Sequence, residues 1–326
     1  MSRPGPDRTI LVPVLCAIGA TLCFGGVPPV LRHLSLYLDP WTVNATRYST
    51  AALFWLPYVV LTSRRLGRGG AGRFARNIWV AALIPTAWNI LGQIGWAVCP
   101  YYAEASTIGF VIRSSFLFTV LMGLAFIPVE RLLLRRPIFY VGAALGVGGV
   151  TAIFLQKLLA PADQQTGATG VVLIVVTAVF WGGYAVSVRR CLAGYPLRLA
   201  FGVICLYTST ALVLVAVAAG LLGKTRPLSA LPGREWAWML GSAMLGIALG
   251  HILLYRAIHG IGPLVTNGIA LIQPFVTFAA AAAALGETMG ASQLAGGLAV
   301  VAGGYCLVRA RGEVDRFEGP KAREAP

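Results

Sequence analysis

Phe180-Trp181-Gly182-Gly183 repeats Cys23-Phe24-Gly25-Gly26 at a distance of 157 residues, and Phe275-x11-Glu287 repeats Phe118-x11-Glu130 at the same distance. Two further matches keep the order. Leu91-Gly92-Gln93-Ile94 returns as Leu249-Gly250-His251-Ile252, offset by 158, and Gly142-x6-Gly149 returns as Gly296-x6-Gly303, offset by 154. A repeat of this length in an almost wholly apolar chain points to a membrane protein of two related halves. In such proteins the substrate site is expected where the halves meet.

Composition sets the class. Hydrophobic residues make up 57% of the chain and charged residues 11%, with a mean hydropathy of +0.77, far from a soluble domain. Ten apolar runs are expected to form transmembrane helices, over residues 10–31, 41–61, 78–98, 103–127, 138–155, 171–188, 199–222, 236–258, 262–285 and 293–308. Most have the roughly 17–25 residues that cross a hydrocarbon core. Their periodicity is helical or uniformly apolar, without the alternation of a membrane β-strand. The fold class is therefore all-α integral membrane.

The basic residues orient the bundle. With the N-terminus in the cytoplasm, 19 Lys and Arg fall on cytoplasmic segments and 5 on outer ones, while Arg47 and Arg113 lie inside spans. This asymmetry implies cytoplasmic termini and an even number of crossings of the cytoplasmic (inner) membrane. The net charge of +15 is then a topology signal and gives no reason to expect a nucleic-acid partner. Five helices per half make the two repeats inverted, with Glu130 on a cytoplasmic connection and Glu287 on an outer one. The organisation reads as a cytoplasmic start over 1–9, a first repeat over 10–155, an outer linker over 156–170, a second repeat over 171–308 and a basic cytoplasmic tail over 309–326. The first apolar run exceeds the roughly 7–15 residues of a signal-peptide core, so it reads as a retained helix. Cys16, Cys23, Cys99, Cys191, Cys205 and Cys306 lack CxxC spacing and read as free thiols in or beside spans, with no metal expected.

Ten helices in inverted halves, Phe24-Gly25-Gly26 and Trp181-Gly182-Gly183 in helices one and six, and Leu285-Gly286-Glu287-Thr288 before the last helix resemble the EamA-type branch of the drug/metabolite transporter superfamily. Ile127-Pro128-Val129-Glu130-Arg131 is a degenerate first-half version of the last motif, and Arg47 matches an arginine often seen in the family's second helix. The resemblance covers about residues 10–308. It implies export or exchange of small metabolites, amino acids or drugs through a central cavity. That cavity is expected between helices one, three, four, six, eight and nine, with five and ten to the side. One departure is Pro274 in helix nine, where helix four has Leu117, so the two halves need not bend alike.

The residues support this architecture independently. Gly25, Gly26, Gly182 and Gly183, and the rows Gly142, Gly146, Gly149 and Gly296, Gly303, offer small faces for close helix approach, which is favoured over substrate contact. Pro28-Pro29, Pro57, Pro85 and Pro274 break helical hydrogen bonds and are expected to kink their spans. Glu130 and Glu287 are read as caps opening the next helix of each half, with gating contacts as the alternative.

Arg113 stands out, because a mid-membrane arginine costs roughly 2.5–3.5 kcal/mol on insertion scales. Carbonyl ends of broken helices or water would satisfy it structurally. The preferred reading is that it faces the cavity and binds a substrate carboxylate or phosphate through its paired N–H donors. Arg47 is expected to pair with Asp39 or Glu104, or else to bind substrate. Asn89 and Gln93 share a face of helix three, as do His251 and Tyr255 on helix eight. Gln93 and His251 also occupy equivalent places in the two halves. Trp88, Trp96, Trp181 and Tyr184 are candidate walls, and Asn267 and Gln273 are further donors.

No acidic residue falls at mid-membrane, which favours exchange or facilitated movement over proton coupling. No Walker A motif, HExxH or filter segment occurs, so an ATP-driven pump, a membrane enzyme and a channel are disfavoured. No cofactor is expected. The reading is a secondary transporter of a small metabolite, most plausibly an amino acid or other carboxylate. A lipid or lipid-linked headgroup flippase and a cationic or hydrophobic drug exporter are the alternatives. The partners expected are the substrate and the lipid bilayer; the sequence does not give the oligomeric state.

Overall fold

The computed structural model describes residues 6–66, 72–159 and 166–318, so parts of the termini and of the 156–170 linker lie outside it. Among these residues every regular element is a helix. In chain order they are α1 (Pro6–Gly25), α2 (Val27–Leu34), α3 (Pro40–Leu66), α4 (Gly72–Ala81), α5 (Leu83–Val98), α6 (Ala105–Val111), α7 (Ser115–Phe126) and α8 (Pro137–Leu158), then α9 (Thr166–Cys191), α10 (Leu197–Leu221), α11 (Trp236–Ala243), α12 (Gly250–Ala270), α13 (Gln273–Leu285) and α14 (Ala291–Glu318). Short 3₁₀ turns separate several of them, and a π-helical stretch, Met244–Leu249, joins α11 to α12.

Eight stretches of the described residues are long and apolar enough to cross a membrane: Leu11–Leu34, Ala105–Phe126, Pro137–Gln156, Ala168–Cys191, Leu197–Leu221, Gly233–Ile261, Val265–Leu285 and Ala291–Glu313. Ten were expected, and the runs 41–61 and 78–98 do not meet this requirement. Both are helical: 41–61, within α3, falls short in apolarity, whereas 78–98 is divided at the Ala82 turn into α4 and α5, of 10 and 16 residues. Their polar residues point inward: Asn44 and Arg47 on α3 are each 2% exposed, and Thr86 and Asn89 on α5 each 4%. A helix that brings polar groups to the bundle interior loses overall hydropathy while still packing against its neighbours, here α3 against α10 and α5 against α9. The remaining principal pairs are α1 with α12, α7 with α9, α6 with α13 and α8 with α14.

Proline explains three of the helix interruptions. Pro28-Pro29 follow the break at Gly26, Pro85 follows the turn at Ala82, and Pro274 follows the turn at Leu271–Ile272. Because Pro29 has no N–H, the Gly25 carbonyl lacks its helical donor. The Thr277 hydroxyl on α13 donates to it instead, at 2.9 Å. Pro57, by contrast, sits inside an uninterrupted α3. By sequence, Pro274 leaves helices four and nine free to bend differently. Both are interrupted at equivalent places, helix four by the 3₁₀ turn Ile112–Ser114 without any proline.

Glycine sets the closest helix approaches. A Cβ on Gly149 would lie 2.5 Å from the Gly296 carbonyl oxygen, and one on Gly303 would lie 2.7 Å from that of Gly142, so α8 and α14 touch backbone to backbone. Gly25 abuts Val276, Gly182 abuts the backbone at Phe118 and Thr119, and Gly183 abuts the Trp88 ring. Gly26 departs from expectation: a Cβ there would lie 3.6 Å from its nearest neighbour, so it makes no close crossing. Gly146 likewise leaves room for a methyl group, with nothing within 4 Å. Gly149→Ala is therefore expected to destabilise by about 1–3 kcal/mol through overpacking, while Gly146→Ala is neutral or slightly stabilising. Thermal unfolding of the two variants in the same detergent checks this; equal melting temperatures would remove the close crossing as a determinant of the fold.

Candidate functional site

Between these helices lies a cavity of about 270 Å³. Phe24 and Val27 line it from either side of the α1–α2 break, Arg47 and Tyr48 from α3, and Asn89, Gln93 and Trp96 from α5. Ile112 and Arg113 come from the 3₁₀ turn, Trp181 and Tyr184 from α9, and Phe201 from α10. Gly246 and Ile247 of the π-helical stretch, His251 and Leu254 of α12, and Gln273 at the start of α13 close it. α8 and α14, the expected fifth and tenth spans, contribute nothing to the lining, whereas α3 and α10, outside the six helices that the family resemblance implied, do.

The polar groups differ in how they are held. Arg47 is 2% exposed, and its Nε donates to Ser242 Oγ at 2.9 Å while Nη2 donates to the Ser242 carbonyl at 3.3 Å. This corrects the expected pairing with Asp39 or Glu104. Asp39 instead accepts from the backbone N–H groups of Thr42 and Arg226, and Glu104 accepts from Thr107. Arg113 has no carboxylate partner, and its Nε is buried without a hydrogen bond among the described residues. Asn89 donates to Thr208 Oγ1 at 2.9 Å, which fixes its amide at the wall.

Aromatic rings supply most of the remaining surface. Trp96 and Trp181 lie with centroids 4.9 Å apart, tilted by 40°. His251 stacks on Phe201 at 3.9 Å and meets Phe24 edge-on at 5.1 Å, and its Nδ1 is buried without a hydrogen bond. Among the described residues no Asp or Glu lines the cavity. The cavity thus combines two guanidinium groups with amide donors and flat apolar walls, a chemistry suited to an organic anion.

Of the residues singled out from sequence, Arg47, Asn89, Gln93, Arg113, Trp181, Tyr184 and His251 meet in this one cavity, as do Trp96 and Gln273. Tyr255 does not reach it. It is buried behind His251, with ring centroids 6.0 Å apart, and packs on Phe201. Asn267 on α12 and Trp88, which lies against Gly183, are also outside the lining. Tyr48 and Phe201 were missed. Tyr48 follows the motif arginine directly and was within reach of the reading, whereas Phe201 sits in a uniformly apolar helix that gives no signal.

Glu287 is a cap, but not of the helix that follows it. Its two carboxylate oxygens accept from the backbone N–H groups of Ala105 and Ser106, at 2.8 and 2.9 Å, at the start of α6 in the other half of the chain. Gly286, in the left-handed conformation with φ of 67°, ends α13 and turns the chain so that the carboxylate can reach across. The side chain of Glu130 lies outside the described residues.

This is the architecture of a multi-pass membrane protein with a polar cavity enclosed by interrupted helices. Residues 168–309 match the model of the EamA-like transporter family. A solved structure described only as "Crystal structure of protein" is similar in fold over 93% of this chain and 99% of its own, with a TM-score of 0.55 and 19% sequence identity. None of the curated proteins matches.

Glu287→Ala removes both acceptors and is expected to cost about 1–3 kcal/mol of stability, since the α6 N–H groups are left without partners. Glu287→Gln keeps one neutral acceptor and should lose less. Melting temperatures of the two variants decide it, and a Glu287→Ala protein as stable as wild type would show that water replaces the cap.

Proposed function

We propose that this protein is a secondary transporter that moves a small, carboxylate-bearing metabolite across the cytoplasmic membrane, by export or exchange. The two halves form inverted five-helix repeats that rock about the cavity in alternating access, with ten crossings and both termini in the cytoplasm. The observation that carries the reading is the cavity itself: residues from both halves enclose it, and arginine provides its fixed charge without any lining carboxylate. The pairing of helices supports the two-half reading. Exchanging the halves converts the α1–α12 contact into α5–α9 and leaves α3–α10 and α8–α14 in place. The transporter family matched over residues 168–309 supports the activity class.

The same cavity argues against the competing substrates. Two guanidinium groups repel a cationic drug, and 270 Å³ lies just below the roughly 300–1,000 Å³ of drug-sized ligand sites, which suits a metabolite better than a lipid. Arg113 is the leading anchor because its donors are not engaged by a carboxylate or by a helix-end carbonyl.

The test is a thermal-stability screen of purified protein against amino acids, organic acids, phosphorylated metabolites and cationic drugs, run beside Arg113→Gln. A ligand at about 100 times its Kd should stabilise the folded state by roughly 2.7 kcal/mol. Carboxylates are expected to raise the wild-type melting temperature and to lose most of that effect in Arg113→Gln. Stabilisation by cations alone, equal in both proteins, would sink the anchor and the anion reading together.

A further inference from the structure

We infer that the cavity is built for a substrate with two negative groups and no ammonium, with Arg47 as the second cationic anchor in the cavity where Arg113 is proposed to bind a carboxylate. The inference rests on the transporter reading and narrows its substrate class.

Its basis is a charge inventory. Arg47 and Arg113 line the same cavity, and no carboxylate lines it with them. Four described carboxylates on the surrounding elements are engaged elsewhere. Asp39 caps Thr42 and meets the Arg226 backbone, Glu235 holds His33 at 2.6 Å and Arg234 at 2.8 Å, and Glu287 caps α6. Glu104 accepts from Thr107 and Gln293. Arg47's partner, Ser242, is neutral at both contact atoms. A hydroxyl and a carbonyl satisfy its hydrogen bonds but leave its charge uncompensated, and a buried charge without a counter-charge is unfavourable. Arg113 has even less, with a buried Nε that donates to nothing among the described residues.

Two like charges facing one small, largely apolar space raise each other's energy, because the surroundings screen them weakly. A monocarboxylate relieves one of them. An amino acid relieves one and adds a third cation. The aromatic faces of Trp96, Trp181 and Tyr184 could hold an ammonium by cation–π attraction, but only against the field of both guanidinium groups. A dicarboxylate or a phosphate ester compensates both, and the flat walls accept an unsaturated or aromatic body between the two charged ends.

A matched set of benzene derivatives isolates the charge. Terephthalate carries two carboxylates, 4-methylbenzoate one, and 4-(aminomethyl)benzoate a carboxylate and an ammonium, all on the same ring. Binding to the purified full-length protein in a chloride-free buffer is expected to be at least about tenfold tighter for terephthalate than for 4-methylbenzoate, a step that corresponds to one good charge contact. The zwitterion should be the weakest of the three. Arg47→Gln should bring terephthalate down to the affinity of 4-methylbenzoate while changing the latter by less than about twofold, and Arg47→Lys, which keeps the charge, should retain part of the difference. If Arg47→Gln does not fold, the wild-type ratio decides alone. Equal wild-type affinity for terephthalate and 4-methylbenzoate, or tightest binding of the zwitterion, overturns the two-charge inference. If Arg113→Gln still abolishes that binding, the anion-carrier reading survives. Failure of all three ligands to bind overturns both.

Discussion

Lipid offers no hydrogen-bond partner to the backbone, and this constraint decides where the bundle can be irregular. A helix may be interrupted inside a membrane only where protein or a polar cavity takes up the freed groups. The interruptions follow that rule. The break at Gly26 is flanked by the cavity-lining Phe24 and Val27, the 3₁₀ turn presents Ile112 and Arg113, the π-helical stretch presents Gly246 and Ile247, and the turn before α13 delivers Gln273. The Thr277 hydroxyl bonded to the Gly25 carbonyl shows the other half of the bargain, a side chain from one interrupted helix completing the backbone of another. Glycine makes this possible at the same level: Gly25 lets α1 pass Val276 of α13, and Gly182 and Gly183 let α9 approach α7 and α5.

The all-helical membrane class of the protein was legible because membranes impose long apolar runs, and several cavity residues were legible because polar residues inside such runs need a reason. Arg113, Gln93 and His251 stood out against their surroundings and meet in space. The same logic fails where the surroundings are not distinctive. Phe201 lines the cavity from an apolar helix and Tyr255, one turn beyond His251, lies behind it; the 3.6-residue period places both near the cavity without saying which ring comes first. Long-range partners were not legible at all. Ser242 lies 195 residues from Arg47, and nothing in the neighbourhood of either residue names the other. Glu287 shows the middle case: its capping chemistry could be read from sequence, but the helix it caps is 182 residues away.

The count of spans carries a related lesson. Hydropathy identifies helices that face lipid all round, and it undervalues those that turn a polar face inward. α3 falls short in apolarity because polar residues, Asn44 and Arg47 among them, are on it, and Arg47 lines the cavity. Apolarity and function pull in opposite directions on the same element, and the bundle resolves this by burying the polar face between helices.

The distribution of charge completes the picture. The engaged carboxylates gather where α2, the start of α6, the loop after α13 and the start of α11 come together, and there they bind across the chain: His33 to Glu235, the Arg226 backbone to Asp39, Ala105 and Ser106 to Glu287. Each of these bonds joins an element before residue 159 to one after 166. Negative charge therefore clips the two parts of the chain together at one end of the bundle, while the positive charge inside it is left without a counter-charge. If an acidic residue lined the cavity as well, it would neutralise an arginine and compete with an anionic ligand for its donors. Keeping the acids at the rim leaves the guanidinium groups free to be compensated from outside.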